Sequence, residues 1–462
     1  MRIKVSTISL KYVIIVFAMV FSISCKNNPK PSTEGVDVQN ESAFVLSQSD
    51  KALLDTLQQQ TFNYFWEGAE PNSGLARERL HMDDVYPTSP KNTVTTGGSG
   101  FGLMAILVGV EKGFITRDQA LERYERIVQF LESADRFHGA WPHWINGETG
   151  KVVPFSKKDT GGDLVETAFL VQGLLTVKEY FKEGNSREQQ LANNIDTLWR
   201  GVEWDWYTKG EDVLYWHWSP TDGWEMNFAV GGYNECLIMY VLAASSPTHP
   251  ISPDAYHKGW ARNGTFVSEQ TYYGEELVLD YYEHDSSKVG PLFWAHYSYV
   301  GLNPNGLKDN YADYWKLTQN QAKIHYKYAI ENPNNFKGYG KDLWGLTSSY
   351  SMKGYAGHRP DKDLGVISPT AALSSFPYTP KESMQMIRNL YKNQDSLIGK
   401  YGPYDAFSLE HKWYLPRYLA IDQGPIPVMI ENYRTGLLWK LFMQNEDVKS
   451  GLKALNFSVD EN

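Results

Sequence analysis

Two cysteines among 462 residues, Cys25 and Cys236, leave no room for a disulfide framework. If Cys25 lies at the edge of a removable leader, the mature chain holds no intrachain pair at all. Cys236 opens an apolar segment with no histidine beside it in sequence, so a buried thiol is expected there and not a nucleophile. Basic runs are also missing. The formal charge is −10, and removing Arg2, Lys4 and Lys11 with the leader takes it to −13, which speaks against nucleic acid or another polyanion as partner. Metal signatures are wanting too. The 11 histidines are scattered, with no HExxH and no Cys–His set, so no metal and no cofactor are expected. Glycine pairs follow no predicted strand, which argues against dinucleotide binding. No Ser elbow is found either.

The chain lacks an apolar run long enough to cross a membrane. The longest, 12–21, follows basic residues and precedes small ones, so 1–24 read as an export signal. Ser22-Ile23-Ser24-Cys25 is similar to a lipoprotein cleavage box, though Ser22 replaces the usual leucine; lipidation at Cys25 is expected, with an ordinary signal peptide as the alternative. Residues 25–47, polar with Pro and Asn, read as a flexible tether, leaving 48–462 as one large domain. Any membrane association would run through that N-terminal lipid. A monomer exported to the periplasm is the expectation.

Aromatic residues, in contrast, are abundant at 14%, with 15 Trp and 30 Tyr. Two apolar patterns alternate along the chain. One-sided helical stripes such as Leu121, Tyr124, Val128 and Leu131, or Leu191, Ile195, Leu198 and Val202, predict helices with one solvent face. Between them 101–110, 164–177 and 236–244 are apolar all round, which predicts buried helices. The alternation continues with outer helices near Pro253, Tyr311 and Pro380 and inner ones near Leu292, Thr370 and Pro427. Six outer–inner pairs fit an all-α fold, an (α/α)6 barrel. An open solenoid is the alternative, but no fixed-length repeat is present. Links from inner to outer helices are short, and those from outer to inner are long, so the long loops gather on one rim, where function is expected. One of them, 265–282, alternates as a small β-hairpin.

That rim carries the chemistry. Asp159-Thr160-Gly161-Gly162-Asp163-Leu164-Val165-Glu166 sets acids and glycines where an inner helix begins, and Gly231-Gly232-Tyr233-Asn234-Glu235 repeats the design at the next one. On a helix Asp159 and Asp163 would share a face. Capping explains the pattern equally well, with Asp159 or Thr160 as N-cap. The glycines, costly in a helix, suggest a ligand close to the backbone. Glu235, after two glycines and before apolar residues, is in a setting that raises a carboxyl's pKa. Two carboxyls on one rim are what hydrolysis of a glycosidic bond requires. Aromatic and polar rim residues, namely Trp141, His143, Trp144, Trp216, Trp218, Trp224, Tyr233, Asp342, Trp344, Asp405 and Gln423, are the candidates for holding a sugar, with about half of the loop tryptophans expected to be structural. Glu431 is expected to pair with Arg434. Glu166 is expected to be structural.

Gly161-Gly162-Asp163-Leu164-Val165-Glu166-Thr167-Ala168, Gly232-Tyr233-Asn234-Glu235, Phe293-Trp294-Ala295-His296-Tyr297-Ser298, Ser368-Pro369-Thr370-Ala371-Ala372 and Asp422-Gln423-Gly424-Pro425-Ile426 resemble the glucoamylase-like domain of bacterial β-1,2-glucanases, glycoside hydrolase family 144. The resemblance runs from about residue 45 to the C-terminus. It implies an (α/α)6 barrel, β-1,2-glucan or its oligosaccharides as substrate, inversion at the anomeric carbon, and catalytic acids at Asp159, Asp163 and Glu235. On that basis Glu235 is expected to donate the proton, and Asp159 or Asp163 to activate water directly or through a relay. Lys26-Asn27-Asn28 lacks the acids that by resemblance send lipoproteins to the cell surface. Exo release of sophorose from the non-reducing end is therefore favoured over endo cleavage. A non-catalytic glycan-binding lipoprotein is a further alternative, and a lyase acting on uronic acids is disfavoured by the acidic balance.

Overall fold

Ser47 ends the expected tether by capping a helix: its hydroxyl accepts from the Asp50 N–H while the Asp50 carboxylate accepts from Ser47, a reciprocal box that starts α1, Gln48–Trp66. The computed structural model describes residues 44–86, 90–281 and 288–460; the leader 1–24, Cys25, most of the tether and Tyr282 lie outside the described residues. In chain order follow α2 (Thr96–Glu111), α3 (Arg117–Ser133), α4 (Leu164–Phe181), α5 (Ser186–Arg200) and α6 (Leu237–Ser245). Then come α7 (Tyr314–Glu331), α8 (Pro369–Ser374), α9 (Pro380–Asn393), α10 (Ala420–Gln423) and α11 (Pro425–Thr435), with two short helices at the C-terminal end.

The two apolar patterns sort these helices as expected. In α3 only the stripe Ala120, Leu121, Tyr124, Ile127, Val128 and Leu131 is buried. In α2 and α4 nearly every residue is. α2 packs on α4, α4 on α6, and α11 on both α8 and α2. Glycine permits the closest of these crossings: a Cβ on Gly100 would lie 2.1 Å from the Phe169 carbonyl oxygen, and one on Gly173 2.2 Å from that of Gly100. The architecture is mostly helical, with small two- and three-stranded sheets in the long links.

Two expected helices take other forms. The inner segment near Leu292 is a pair of 3-10 turns, Leu292–Ala295 and Tyr297–Val300. His296 separates them at φ −117°, its ring bonded to the Ser375 hydroxyl at 2.9 Å, which breaks the α-helical path. The outer segment after Pro253 is one six-residue π-helical stretch, Ala255–Trp260, closed off by Arg262 and Asn263 at φ 48° and 53°. The expected hairpin forms as Thr271–Tyr272 against Glu275–Glu276, with Tyr273 and Gly274 both at positive φ in its turn. Glu431 and Arg434 do not pair: Arg434 bonds Asp55 and Gln58 on α1, and Glu431 takes Gln58 and Thr435. Gln58 stands between them, its amide donating to Glu431 and accepting from Arg434, so the two charges meet through α1 and not directly.

Candidate active site

The site begins at the start of α4. Gly162–Asp163 is a strand and not a first helical turn, and it pairs antiparallel with His217–Trp218. Asp163 is the N-cap, its Oδ1 accepting from the Glu166 N–H at 2.9 Å. The cap expected at Asp159 or Thr160 is thus displaced, and Asp159 and Asp163 share no helix face. The glycines serve protein contacts in place of a ligand: a Cβ on Gly161 would meet the Trp218 carbonyl at 2.1 Å, and one on Gly162 the Tyr207 hydroxyl at 2.1 Å. Strand pairing demands that approach.

Asp163 Oδ2 gathers two rings, accepting from His143 Nδ1 at 2.7 Å and from Trp216 Nε1 at 2.9 Å. Asp159, 4% exposed, lies 3.2 Å from His217 Nε2 and 3.9 Å from His143 Nδ1. His143 and Trp216 face a cavity of about 650 Å³, whereas Asp159 and Asp163 stand behind them and are not among its lining residues. Burial works against charge on His143, but Glu166, Asp163 and Asp159 outweigh it and hold the imidazole up at about 9, so it is an imidazolium at neutral pH.

Glu166, expected to be structural, lines the cavity. Its Oε2 accepts from Gly97 N–H at 2.8 Å and from Thr95 Oγ1 at 3.4 Å, while no donor among the described residues takes its Oε1. Burial pushes Glu166 up to about 7, the His143 charge pulls it back, and Asp163 adds to the rise. The sequence signal for this role was present: position N3 of a capped helix points along the helix start, toward whatever the rim encloses.

Glu235 reaches the same cavity from the start of α6. Gly232, at φ 80°, donates to the Trp260 carbonyl and turns the chain so that Glu235 stands just outside the helix. Ser298 bonds the Glu235 backbone carbonyl and takes the Ile238 N–H, anchoring this turn. No other side chain hydrogen-bonds the Glu235 carboxyl among the described residues. Burial raises it to about 7; its own N–H lowers it, and Glu166 and Asp163 raise it further.

The remaining walls went largely unread in the sequence. Phe155 stacks on His143 at 4.0 Å and stands 47% exposed at the cavity mouth. Glu78 clamps Arg79 through two bonds, and Arg79 Nη1 donates to the Tyr350 hydroxyl at 2.7 Å. Arg79 and Arg417 both lie over the Tyr350 ring, at 5.5 and 5.6 Å. These residues come from four distant stretches of chain, and only tertiary packing assembles them.

Of the expected sugar-binding residues, His143, Trp144 and Trp216 line the cavity. The others do not. Trp141 is fully buried with its indole bonded to the Leu131 carbonyl, and Tyr233 is buried with its hydroxyl on Gln321. Trp344 is enclosed in the core, Gln423 donates to the Tyr401 and Pro403 carbonyls, and Asp342 accepts from Gln385 on α9. Trp218 and Trp224 pack among Trp206, His138 and Tyr207 on the far side of their loop. Asp405 is buried beside Asp422, accepting from the Tyr350 N–H. Burial brings Asp405 up to about 6 and, with Asp405 beside it, Asp422 well above the carboxylate range, so the pair holds a proton between them; Asp422 accepts in turn from the cavity-lining Tyr297.

Among the described residues, ligand atoms of His143, Asp159 and Asp163 lie within 4.8 Å of one another, a spacing that could hold a cation. The Nδ1–H···Oδ2 bond already joins two of the three, and the imidazolium supplies the positive charge between the aspartates.

With that geometry in place, comparison with known proteins is informative. Residues 227–446 match the glycoamylase family model. An endo-β-1,2-glucanase from Chitinophaga pinensis, solved with sophorotriose and glucose, is 58% identical at TM-score 0.87, covering 90% of this chain and 99% of that one. The chain belongs to this glycoamylase family. Another relative, an exo β-1,2-glucooligosaccharide sophorohydrolase (non-reducing end) from Parabacteroides distasonis, is 46% identical over 445 residues, 91% of this chain. The chain spans 60% of that relative's length. At much lower identity, 11%, an endo-β-1,2-glucanase from Talaromyces funiculosus shares the fold at TM-score 0.61, each chain covered to about nine-tenths.

Proposed function

We propose that the protein hydrolyses β-1,2-glucosidic bonds on an (α/α)6 barrel of glycoside hydrolase family 144, without a metal and with inversion. The carrying observation is Glu235: a buried carboxyl raised to about 7 with no side-chain hydrogen-bond partner among the described residues, on the wall of an aromatic-lined cavity that also holds a second raised carboxyl, Glu166. A carboxyl that keeps its proton near neutrality is a general acid for the leaving glycosidic oxygen. The names of the Chitinophaga and Parabacteroides relatives support the β-1,2 linkage.

In this reading Glu235 protonates the leaving oxygen and Glu166 takes the proton from the attacking water. The task foreseen for Asp159 and Asp163 becomes an indirect one. Both hold His143 cationic, and the imidazolium beside Glu166 favours its ionised form, the form a base needs. Phe155, Trp144 and Trp216 offer flat faces to glucose rings. Export, lipid attachment at Cys25 and a periplasmic site of action belong to the same reading.

Release of sophorose from the non-reducing end is the first mode proposed. Endo cleavage is the second, and one observation favours it: the Chitinophaga relative named as endo is the more similar of the two, over nearly its full length. Linear β-1,2-glucooligosaccharides followed over time separate the modes. Sophorose alone from the first minutes supports exo action, a ladder of sizes supports endo action, and no products from any β-1,2-glucan overturns the reading.

A further inference from the structure

A second pocket, about 540 Å³, lies on the outer side of the loop that carries Trp216, and it shares no lining residue with the cavity. Along that loop side chains alternate. Trp216 faces the cavity, whereas Trp218 turns the other way and packs edge-on against His138 and Trp206. The short 3-10 helix Trp206–Thr208 ends in Lys209 and Gly210, both at positive φ (56° and 79°), a tight turn that leaves Trp206 at the surface.

We infer that the Trp206–Trp224 pocket is a second saccharide-binding site, which holds a neutral glucan chain outside the catalytic cavity. Trp206 is 41% exposed, an unusual state for the largest apolar side chain. His138 stacks on one of its faces at 3.7 Å and 13°, which fixes the ring. Trp224 lies 6.3 Å away at 32°, so the two indoles form a shallow, open V and not a closed stack. Lys209 Nζ, over Trp224 at 5.7 Å and bonded to Asn227, braces the second ring. Such a pair presents rigid apolar area to the C–H face of a pyranose.

The polar rim suits the hydroxyls of the same ligand. Glu203 Oε2 is engaged by His138 at 2.9 Å, and Asp205 Oδ1 by His249 at 3.1 Å and by the Trp206 N–H. Each carboxylate is thus oriented by a histidine on one oxygen, while the other oxygen has no donor among the described residues and can accept from a sugar hydroxyl. Two acids with one engaged lysine repel uronic or phosphorylated sugars, which leaves a neutral glycan. The identity of that glycan as β-1,2-glucan rests on the function proposed above; the platform itself does not.

The test is calorimetric titration of sophorotriose into the Glu235→Gln protein with and without Trp206→Ala, alongside affinity electrophoresis through gels carrying soluble β-1,2-glucan. Two binding sites falling to one on Trp206→Ala, with retardation in the gel reduced at least threefold, is the expected result. Trp206→Phe, which keeps an aromatic face, should restore most of the retardation. A single site in both proteins, or retardation indifferent to Trp206, overturns the second site. The proposed reaction is judged separately, by turnover of the wild-type protein. Trp206-dependent retardation without any turnover would sink the reaction and leave the site standing.

Discussion

The starts of α4 and α6 carry the same ingredients, a glycine pair and an acid before an apolar helix, yet they put their carboxyls to opposite uses. Asp163 is spent on structure: it caps α4 with one oxygen and orients His143 and Trp216 with the other. Glu235 caps nothing and, among the described residues, bonds no other side chain, so burial outweighs its own N–H and keeps it protonated near neutrality. The difference arises one residue at a time. At α4 the acid occupies the N-cap position itself; at α6 that position belongs to Cys236, and the acid before it is turned by Gly232 into the cavity. Partners, not residue type, decide which carboxyl can act as an acid.

The largest effect should come from removing the unpartnered acid. Glu235→Gln should lower kcat by about 10³-fold on an activated or natural substrate while the protein stays folded. A variant within tenfold of wild type would erase the distinction drawn between the two helix starts. Asp163→Asn keeps a capping side chain but loses one of the charges that hold His143 as imidazolium; a fall of about 10²-fold is expected, with the pH profile shifted because the cationic neighbour of Glu166 is weakened. An unchanged profile would show that Asp163 acts only as a cap.

The comparison also predicts that substitution has opposite effects on stability at the two sites. The folded state holds the Glu235 proton up to about 7 whereas the unfolded chain releases it near 4.5. Folded protein therefore binds more protons across that window, and this group's share of stability falls as pH rises through it. Glu235→Gln abolishes the loss, so it should stabilise the protein at pH 8 by up to about 3 kcal/mol and far less at pH 4, seen in denaturant melts at both values. His143 has the same pH slope, but as a favourable contribution that is lost and not a penalty that is gained. Its folded pKa of about 9 contributes stability that is fully present below about 6.5 and is lost as pH rises through 9, and Asp163→Asn should reduce that contribution while Glu166 and Asp159 keep the rest. Equal melts for Glu235→Gln and wild type at pH 8 would mean that Glu235 is solvated after all. The smallest effect is assigned to the cavity mouth: Phe155→Ala should raise KM about fivefold with kcat little changed, through loss of one stacking face.

Much of the helical framework was legible in the chain because it rests on repetition. Stripes at helical spacing marked α1, α3 and α5 as outer, and all-round apolarity marked α2, α4 and α6 as inner, since burial on one side or on all sides is a property of each helix alone. The segment around His296 escaped that logic: its apolar content is helical, but a single side chain bonded across to Ser375 interrupts the turn. The site was legible only in outline. Glu235, His143, Trp144 and Trp216 could be found because an acid or aromatic residue stood out against its local pattern. Trp141, Tyr233, Trp344 and Gln423 stood out equally and are core residues, because a tryptophan or glutamine in a long loop can turn inward as easily as toward a ligand.

The sequence by itself determined the helical class, the alternation of inner and outer helices, the gathering of long loops between them and the family to which the chain belongs. Local periodicity and contiguous motifs survive in one dimension, so these could be read there. Only the tertiary structure decided the division of labour among the acids: Asp159 and Asp163 behind His143, Glu166 and Glu235 on the cavity wall, Asp405 sharing a proton with Asp422. A carboxyl's chemistry is set by the charges, donors and burial within a few ångströms of it. Those neighbours come from Gly97, His143, Trp216 and Ser298, residues that lie up to two hundred positions apart and meet only when the helices pack.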